Sequence, residues 1–261
     1  MATAVFFHAH PDDESIATGG TMAAMAADGH RVVLVTATDG ALGEIPGGLL
    51  HEGETLVERR GAELAEACRL LGVSDHRFLG YGDSGMEGDP ANGAPGCFWQ
   101  ADVEEAAAAL AAILRAEDAE VLTIYDEHGN YGHPDHIQVH RVGARAAELA
   151  RTPRVFMATQ NRDHMLRLIE AGADFGFAPD EERLAMLDTL GVEGSRITAA
   201  VDVTGQIEAK RAAMAAHASQ ISETSFFLSM PEEVFGLVWG TEWYVELGVE
   251  AGTGPGAGLL D

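Results

Sequence analysis

Cysteine is scarce. The 261 residues include two, Cys68 and Cys97, with no CxxC pair. That excludes a disulfide framework and a cysteine-ligated zinc site, so any metal must sit on histidine and carboxylate. Basic residues are scarce as well: 16 Lys and Arg stand against 42 Asp and Glu, for a formal net charge of -26. Such a surface repels phosphate backbones and anionic lipid, which argues against nucleic-acid and membrane partners and leaves a neutral or cationic small molecule, or a bound cation. No apolar run approaches the ~20 residues of a membrane span. No basic segment followed by a long apolar one precedes His8, so a cytoplasmic protein is expected. The glycine-rich stretch TDGALGEIPGG, from Thr38 to Gly48, lacks both the GxGxxG pattern and a P-loop Lys-Ser/Thr, and reads as a loop with Glu44 as a contact residue. No GxSxG elbow appears, which excludes the common serine-hydrolase design.

What is present is an α/β pattern. Four short, mostly apolar runs stand out: AVFFH from Ala4, RVVLVTAT from Arg31, RFLGYG from Arg77 and VLTIYD from Val121. Ala-rich helical stretches separate them, over about Ser15–Ala27, Thr55–Leu71 and Ala101–Ala116. Strands alternating with helices of this length predict βαβ units: a Rossmann-like single domain, a mostly parallel sheet with helices on both faces. A further helix is expected from Pro134 to about Ala150, then a strand at RVFMATQ, two short helices between Asn161 and Arg196, a strand at ITAAVDV and a helix at IEAKRAAMAAHAS. The aromatic stretch from Phe226 to Leu247 reads as packing against the domain. The domain is expected to span 1–250, with 251–261 as a disordered tail.

Two polar clusters fall at predicted strand ends. HAHPDDE, His8 to Glu14, ends the first strand, and YDEHGNYGHPDH, Tyr125 to His136, ends the fourth. Ligands of open α/β sheets bind outside the carboxyl ends of strands, at a topological switch point. Simpler roles exist for single members: Asp12 or Asp13 as a helix cap, His8 and His140 as packed structural histidines. The ensemble is harder to explain that way. Histidine and carboxylate are zinc ligands, and three of them leave a position for water, whose pKa falls to ~7 on zinc. A nearby carboxylate that does not bind metal is then needed to take the proton, and two adjacent aspartates can divide those tasks. Pro134 suits the first position of a helix, which puts His133 at its N-cap and His136 in its first turn.

These motifs resemble those of the LmbE-like family, also called the PIG-L deacetylases. ERRGAELAEACRLLGV, YGDSGM and KRAAMAAHASQ are similar to further stretches of it. The resemblance implies a Rossmann-like hydrolase that removes an N-acetyl group from an amino-sugar conjugate such as an N-acetylglucosaminyl compound, with one Zn2+ per chain. It implies zinc on His10, Asp13 and His136, and Asp12 as general base. It further implies His133 as acid or electrostatic stabiliser, Tyr131 at the developing oxyanion, and Arg60 and Asp83 on the sugar, although an Arg60–Asp83 ion pair is the plainer role for that couple. As an acid, His133 should titrate above ~6.5 and set an alkaline limb of activity. Three departures stand out: Asn130 where relatives have Gly, Ala17 where the thiol-conjugate amidases carry Lys, and the Gly- and Pro-rich loop Met86–Gln100, which is expected to present Phe98 and Trp99 to the acceptor part of the substrate.

Two rivals remain open, and so does homo-oligomerisation. One is another HxH-type metal-dependent amidohydrolase, or a thiol-conjugate amidase. The other is a sugar-binding protein with a structural metal. Metal analysis of the purified protein should return one zinc per chain; two per chain would favour a two-metal amidohydrolase.

Overall fold

The structure is a computed structural model and describes residues 1–45, 48–173, 190–225, 227–250, 256 and 258–260. Strands β1 (Thr3–His8), β2 (Arg31–Thr38), β3 (Asp75–Tyr81), β4 (Val121–Tyr125) and β5 (Arg154–Thr159) alternate with helices α1 (Asp13–Ala17), α2 (Gly19–Ala27), α3 (Leu56–Leu71), α4 (Val103–Ala116), the single turn α5 (Gly129–Gly132) and α6 (Pro134–Ala150). Helix α7 (Arg162–Ala173), strand β6 (Ala199–Asp202), helices α8 (Ile207–Ala216) and α9 (Glu232–Trp239), and strand β7 (Thr241–Glu246) follow. The sheet order is β3-β2-β1-β4-β5-β7-β6. The first five strands are parallel; β7 runs antiparallel to both β5 and β6.

This bears out the expected fold class. Helices cover both faces of the central strands, so β1, β2 and β4 carry near-continuous apolar runs rather than alternating, and almost every residue in them is buried. Helix α3 starts and stops by local rules: Thr55 and Glu58 form a reciprocal capping box, and Gly72 closes the helix at φ 71°. The expected first helix is broken at Thr18 into α1 and α2. The chain bends where Gly20 passes Val203; a Cβ on Gly20 would lie 2.5 Å from the Val203 Cβ, so only glycine fits.

One expectation changes, and two others fall partly outside the described residues. The aromatic C-terminal stretch does pack on the domain, but it does so partly as a strand, β7, inserted between β5 and β6. Of the tail read as disordered, 251–255, 257 and 261 lie outside the described residues, whereas Gly256 bridges to Ala199 and Leu259 is buried. Of the two short helices expected before Arg196, the first is α7 and the second lies outside the described residues, as does Phe226. No helix among the described residues is long and apolar enough to cross a membrane.

A buried ion pair joins the late elements to the early ones. Lys210 on α8 meets Glu242 on β7 at 2.5 Å, and both are nearly inaccessible. The same Glu242 carboxylate accepts from Gly20 N and Thr21 N at 2.8 Å each, so it caps the start of α2. Removing one partner of such a pair strands the other charge, at a cost of about 3–5 kcal/mol. Lys210→Met should therefore lower the thermal midpoint by on the order of 10 °C, given ~2–4 °C per kcal/mol at this size, and Lys210→Met/Glu242→Gln should recover part of the loss.

Candidate active site

In the strand order, β1 and β4 are neighbours from which the chain leaves in opposite directions along the sheet. Their carboxyl ends bring the two sequence clusters together. His8 is the last residue of β1, but it does not face the pocket. Its Nδ1 meets the Tyr125 hydroxyl at 2.7 Å and its Nε2 meets Thr18 Oγ1 at 2.8 Å. Burial pushes its pKa down to about 4, so it is a neutral, hydrogen-bonded core residue. The Tyr125 ring it holds stacks on His136, centroid to centroid 4.5 Å. His140 bonds the Tyr125 carbonyl at 3.0 Å and is likewise structural.

Two residues on, the chain turns into the pocket. Asp13 Oδ2 accepts from His10 N at 2.8 Å and lies 3.3 Å from both His10 Nδ1 and His136 Nε2. Ligand atoms of His10, Asp13 and His136 all fall within 4.8 Å of one another. His136 stands in the first turn of α6, where the sequence puts it. Gly129 crosses the same helix so closely that a Cβ would lie 2.7 Å from the His136 Cβ, and its φ is 65°. Burial alone would raise Asp13, but His136 and His10 hold its carboxyl well below the usual range.

The far side of His10 shows what the motif reading missed. Asp135, the residue between Pro134 and His136, is fully buried. It approaches His10 Nε2 at 3.2 Å and accepts from Ser84 N at 2.9 Å and from the Ser84 hydroxyl. Asp83 Oδ1 lies 3.5 Å from the same ring nitrogen, and Gly85 N and Leu42 N donate to its carboxylate. Burial would lower the His10 pKa, but Asp13, Asp135 and Asp83 raise it well above the ordinary value. A signal for Asp135 was available: a carboxylate behind a ligating histidine fixes its ring and tautomer.

This donor set fits a metal ion. Two histidines and a carboxylate converge, with the His136 Nε2 turned toward Asp13, and three further carboxylates, Asp12, Asp83 and Asp135, add excess negative charge around them.

Asp12 projects beside this group with its carboxylate 3.2 Å from Arg60 and only 17% exposed. Burial pushes its carboxyl up to about 7, with Arg60 pulling the other way. Arg60 is buried and also donates to the Gly40 carbonyl, at 2.7 Å, and to the Pro11 carbonyl, while its Nε finds no partner among the described residues. Arg60 thus pairs with Asp12, not with Asp83. His133 caps α6 as expected: its Nδ1 accepts from Asp135 N at 3.1 Å. That bond needs an unprotonated Nδ1 and leaves Nε2–H as the free donor. Burial, then the charges of His10 and His136, push its pKa down to about 4. The expectation that His133 titrates above its ordinary value is thereby overturned. The Tyr131 hydroxyl lies 3.3 Å from His136 Nε2, and burial followed by the surrounding aspartates raises its pKa, so it remains an O–H donor. Asn130 occupies φ 64°, a backbone that glycine adopts more freely, and its N–H is held by Asp126 at 2.9 Å.

His10, Asp12, Asp13, Arg60, Asp83, Tyr131 and His133 line one small cavity of about 210 Å³, with Gln220 of the late KRAAMAAHASQ stretch on its rim. Tyr131 also borders a larger cleft of about 1080 Å³, lined by Trp99, Arg141, Arg162 and Arg196 among others. Trp99 lies under the Arg141 guanidinium at 4.8 Å. Phe98 does not join it: it is fully buried against Phe7 and Tyr81.

A family model described as GlcNAc-PI de-N-acetylase, PIG-L, matches residues 5–147. A 1D-myo-inositol 2-acetamido-2-deoxy-alpha-D-glucopyranoside deacetylase of Thermobispora bispora is 47% identical over 241 residues, covering 83% of this chain and 78% of that one. Among solved structures, the N,N'-diacetylchitobiose deacetylase of Pyrococcus horikoshii superposes with a TM-score of 0.59 at 20% identity, covering 94% of this chain and 83% of that one. The 4-carboxy-2-hydroxymuconate hydratase of Pseudomonas putida KT2440 superposes at 0.57 with 17% identity, covering 98% and 100%. The fold therefore serves more than one reaction, and the residues must decide.

The ligand geometry makes a contrast between two histidines one helical turn apart. His136→Ala should lose most of the bound metal, and His140→Ala should keep it. Asp135→Asn should weaken metal affinity by about 10–100-fold while sparing the fold. Metal content after dialysis against a graded chelator measures all three; equal retention by His136→Ala and His140→Ala would remove His136 from the site.

Proposed function

The chain belongs to the PIG-L family, and on that premise we propose that it hydrolyses the N-acetyl group of a small amino-sugar conjugate, as a zinc-dependent deacetylase. The observation that carries this reading is the division of labour within one dipeptide: Asp13 faces His10 and His136, while Asp12, next to it, faces the cavity and Arg60. The Thermobispora bispora relative, named for an N-acetylglucosaminyl inositol, makes a glycoside of that kind the leading substrate.

His10, Asp13 and His136 would hold the zinc, which when bound supplies Lewis-acid activation of water and of the amide carbonyl. Asp12 takes the proton from the attacking water as the new C–O bond forms. It then gives that proton to the amide nitrogen as the C–N bond breaks, so that acetate and a free amine result. A carboxyl held near 7 can do both near neutral pH. The Tyr131 O–H and the His133 Nε2–H are the two neutral donors for the oxyanion that develops between those events. In this scheme His133 stabilises charge and does not deliver a proton, because its Nδ1 is committed to the N-terminus of α6. Asp83 accepts from a sugar hydroxyl, and Arg60 acts on the sugar through the placement of Asp12 and the 40–43 backbone. The larger cleft beyond Tyr131 takes the remainder of the conjugate, with Trp99 as a stacking face.

Incubation of the zinc-loaded protein with a panel of N-acetylglucosaminyl conjugates, with acetate release as readout, tests the reaction. Asp12→Asn should retain one zinc per chain and lose about 10²–10⁴-fold in rate. Metal-free Asp12→Asn protein would instead make Asp12 a ligand, and a wild-type rate would end its role as base.

A further inference from the structure

Asp12 has a strained backbone, with φ 112° and ψ -34°. A non-glycine residue stays in such a conformation only where its surroundings over-determine it. Arg60 holds one side, through the Pro11 carbonyl and the Asp12 carboxylate. The other side is held by Glu14, the last residue of the HAHPDDE motif, for which the reaction outlined above has no use. Glu14 is fully buried. Its Oε2 accepts from Asp12 N at 2.9 Å, and its Oε1 accepts from the Ser15 hydroxyl at 2.6 Å and meets His217 Nε2 at 2.6 Å.

His217 is 203 residues away in sequence, follows directly on α8, and is also fully buried. Its carbonyl accepts from Gln220 N and Ile221 N, at 2.9 and 2.7 Å, which fixes the turn on which it sits. The imidazole hangs from that fixed turn with its Nε2 spent on Glu14, and its Nδ1 has no hydrogen-bond partner among the described residues. A carboxylate is a rigid plane, so an oxygen fixed by His217 sets the position of the oxygen that takes the Asp12 N–H. The Lys210–Glu242 pair already fastens α8 to α2, so the fold has a separate tie at that place. What distinguishes the His217–Glu14 pair is its second oxygen, spent on the residue that projects into the cavity.

We infer that His217, acting through Glu14, is a positioning residue that sets where the Asp12 carboxylate stands. The inference rests on the proposed role of Asp12 as the proton-transferring group. It also accounts for the late histidine of KRAAMAAHASQ without placing it in contact with substrate.

A double-mutant cycle between His217→Gln and Asp12→Asn tests it, with kcat, KM, metal content and thermal midpoint measured for each protein. His217→Gln should lower kcat by about 10–100-fold, the loss expected when a reacting group is displaced by about 1 Å, with KM little changed. Metal content should match wild type. In the Asp12→Asn background the same change should cost nothing further in kcat, because the group it positions no longer carries the proton. Equal kcat losses in both backgrounds, or a lowered thermal midpoint with wild-type kcat, overturns the inference. Should His217→Gln fail to fold, Glu14→Gln carries the same cycle: it keeps an acceptor for the Asp12 N–H but loosens the hold of His217, so a smaller loss is expected, again absent with Asp12→Asn. An Asp12→Asn protein as active as wild type defeats the proposed chemistry and the inference together. An impaired Asp12→Asn with additive His217→Gln defeats the inference alone.

Discussion

Asp12, Asp13, Asp83 and Asp135 crowd around the buried ring of His10, and this concentration of like charge is the constraint to which the surrounding structure answers. Each carboxylate has its own support. Asp13 takes the His10 N–H, Asp83 takes those of Gly85 and Leu42, Asp135 takes Ser84, and Asp12 takes the guanidinium of Arg60. The supports come from the loop after β1, the loops after β2 and β3, and helix α3. Satisfying the charges therefore ties those segments to one point at the carboxyl edge of the sheet. A cation on His10, Asp13 and His136 would relieve the repulsion that remains, so the same charge that costs stability would serve binding.

Behind this layer lies a second set of buried carboxylates. Glu14 with His217, Glu63 with the Ser219 N–H and hydroxyl, and Glu242 with Lys210 are all buried. The first two join α1 and α3 to the residues just after α8, and Glu242 joins α8 to β7 while its carboxylate also takes the first amides of α2. Together they let a chain with a large acidic excess use carboxylates as internal fasteners, each with named donors, instead of confining them to the surface.

Much of this was legible in the sequence for local reasons. Pro134 and His133 mark the start of α6, Thr55 and Gly72 the two ends of α3, and β-branched runs between Ala-rich stretches the parallel core. The pairing of HAHPDDE with GHPDH across β1 and β4 followed from the parallel order. What escaped was non-local. Asp135 is defined by Ser84, 51 residues away, and Glu14 by His217. The strand TEWYVE carries no hairpin signal because its neighbours, β5 and β6, precede it at long range. Phe98 was expected at the surface since its loop is rich in Gly and Pro; the bridge between Gly82 and Cys97 instead draws it under the sheet edge against Phe7. The direction of the His133 shift was misjudged because neighbouring carboxylates were weighed, and burial and the neighbouring rings of His10 and His136 were not.

The insertion of β7 between β5 and β6 has a consequence for the order in which the protein can be made. Strand β6 reaches the sheet through β7, and the N-terminus of α2 is capped by a residue of β7. During synthesis from the amino end, the parallel core can assemble as soon as β5 emerges, since its contacts run among segments already present. The helix that follows HAHPDDE must wait, its first amide groups uncapped, until residue 242 has left the ribosome. Completion of the pocket thus waits on β7, and a nascent chain holds His10, Asp13 and His136 in an unfinished frame until that strand slots into place.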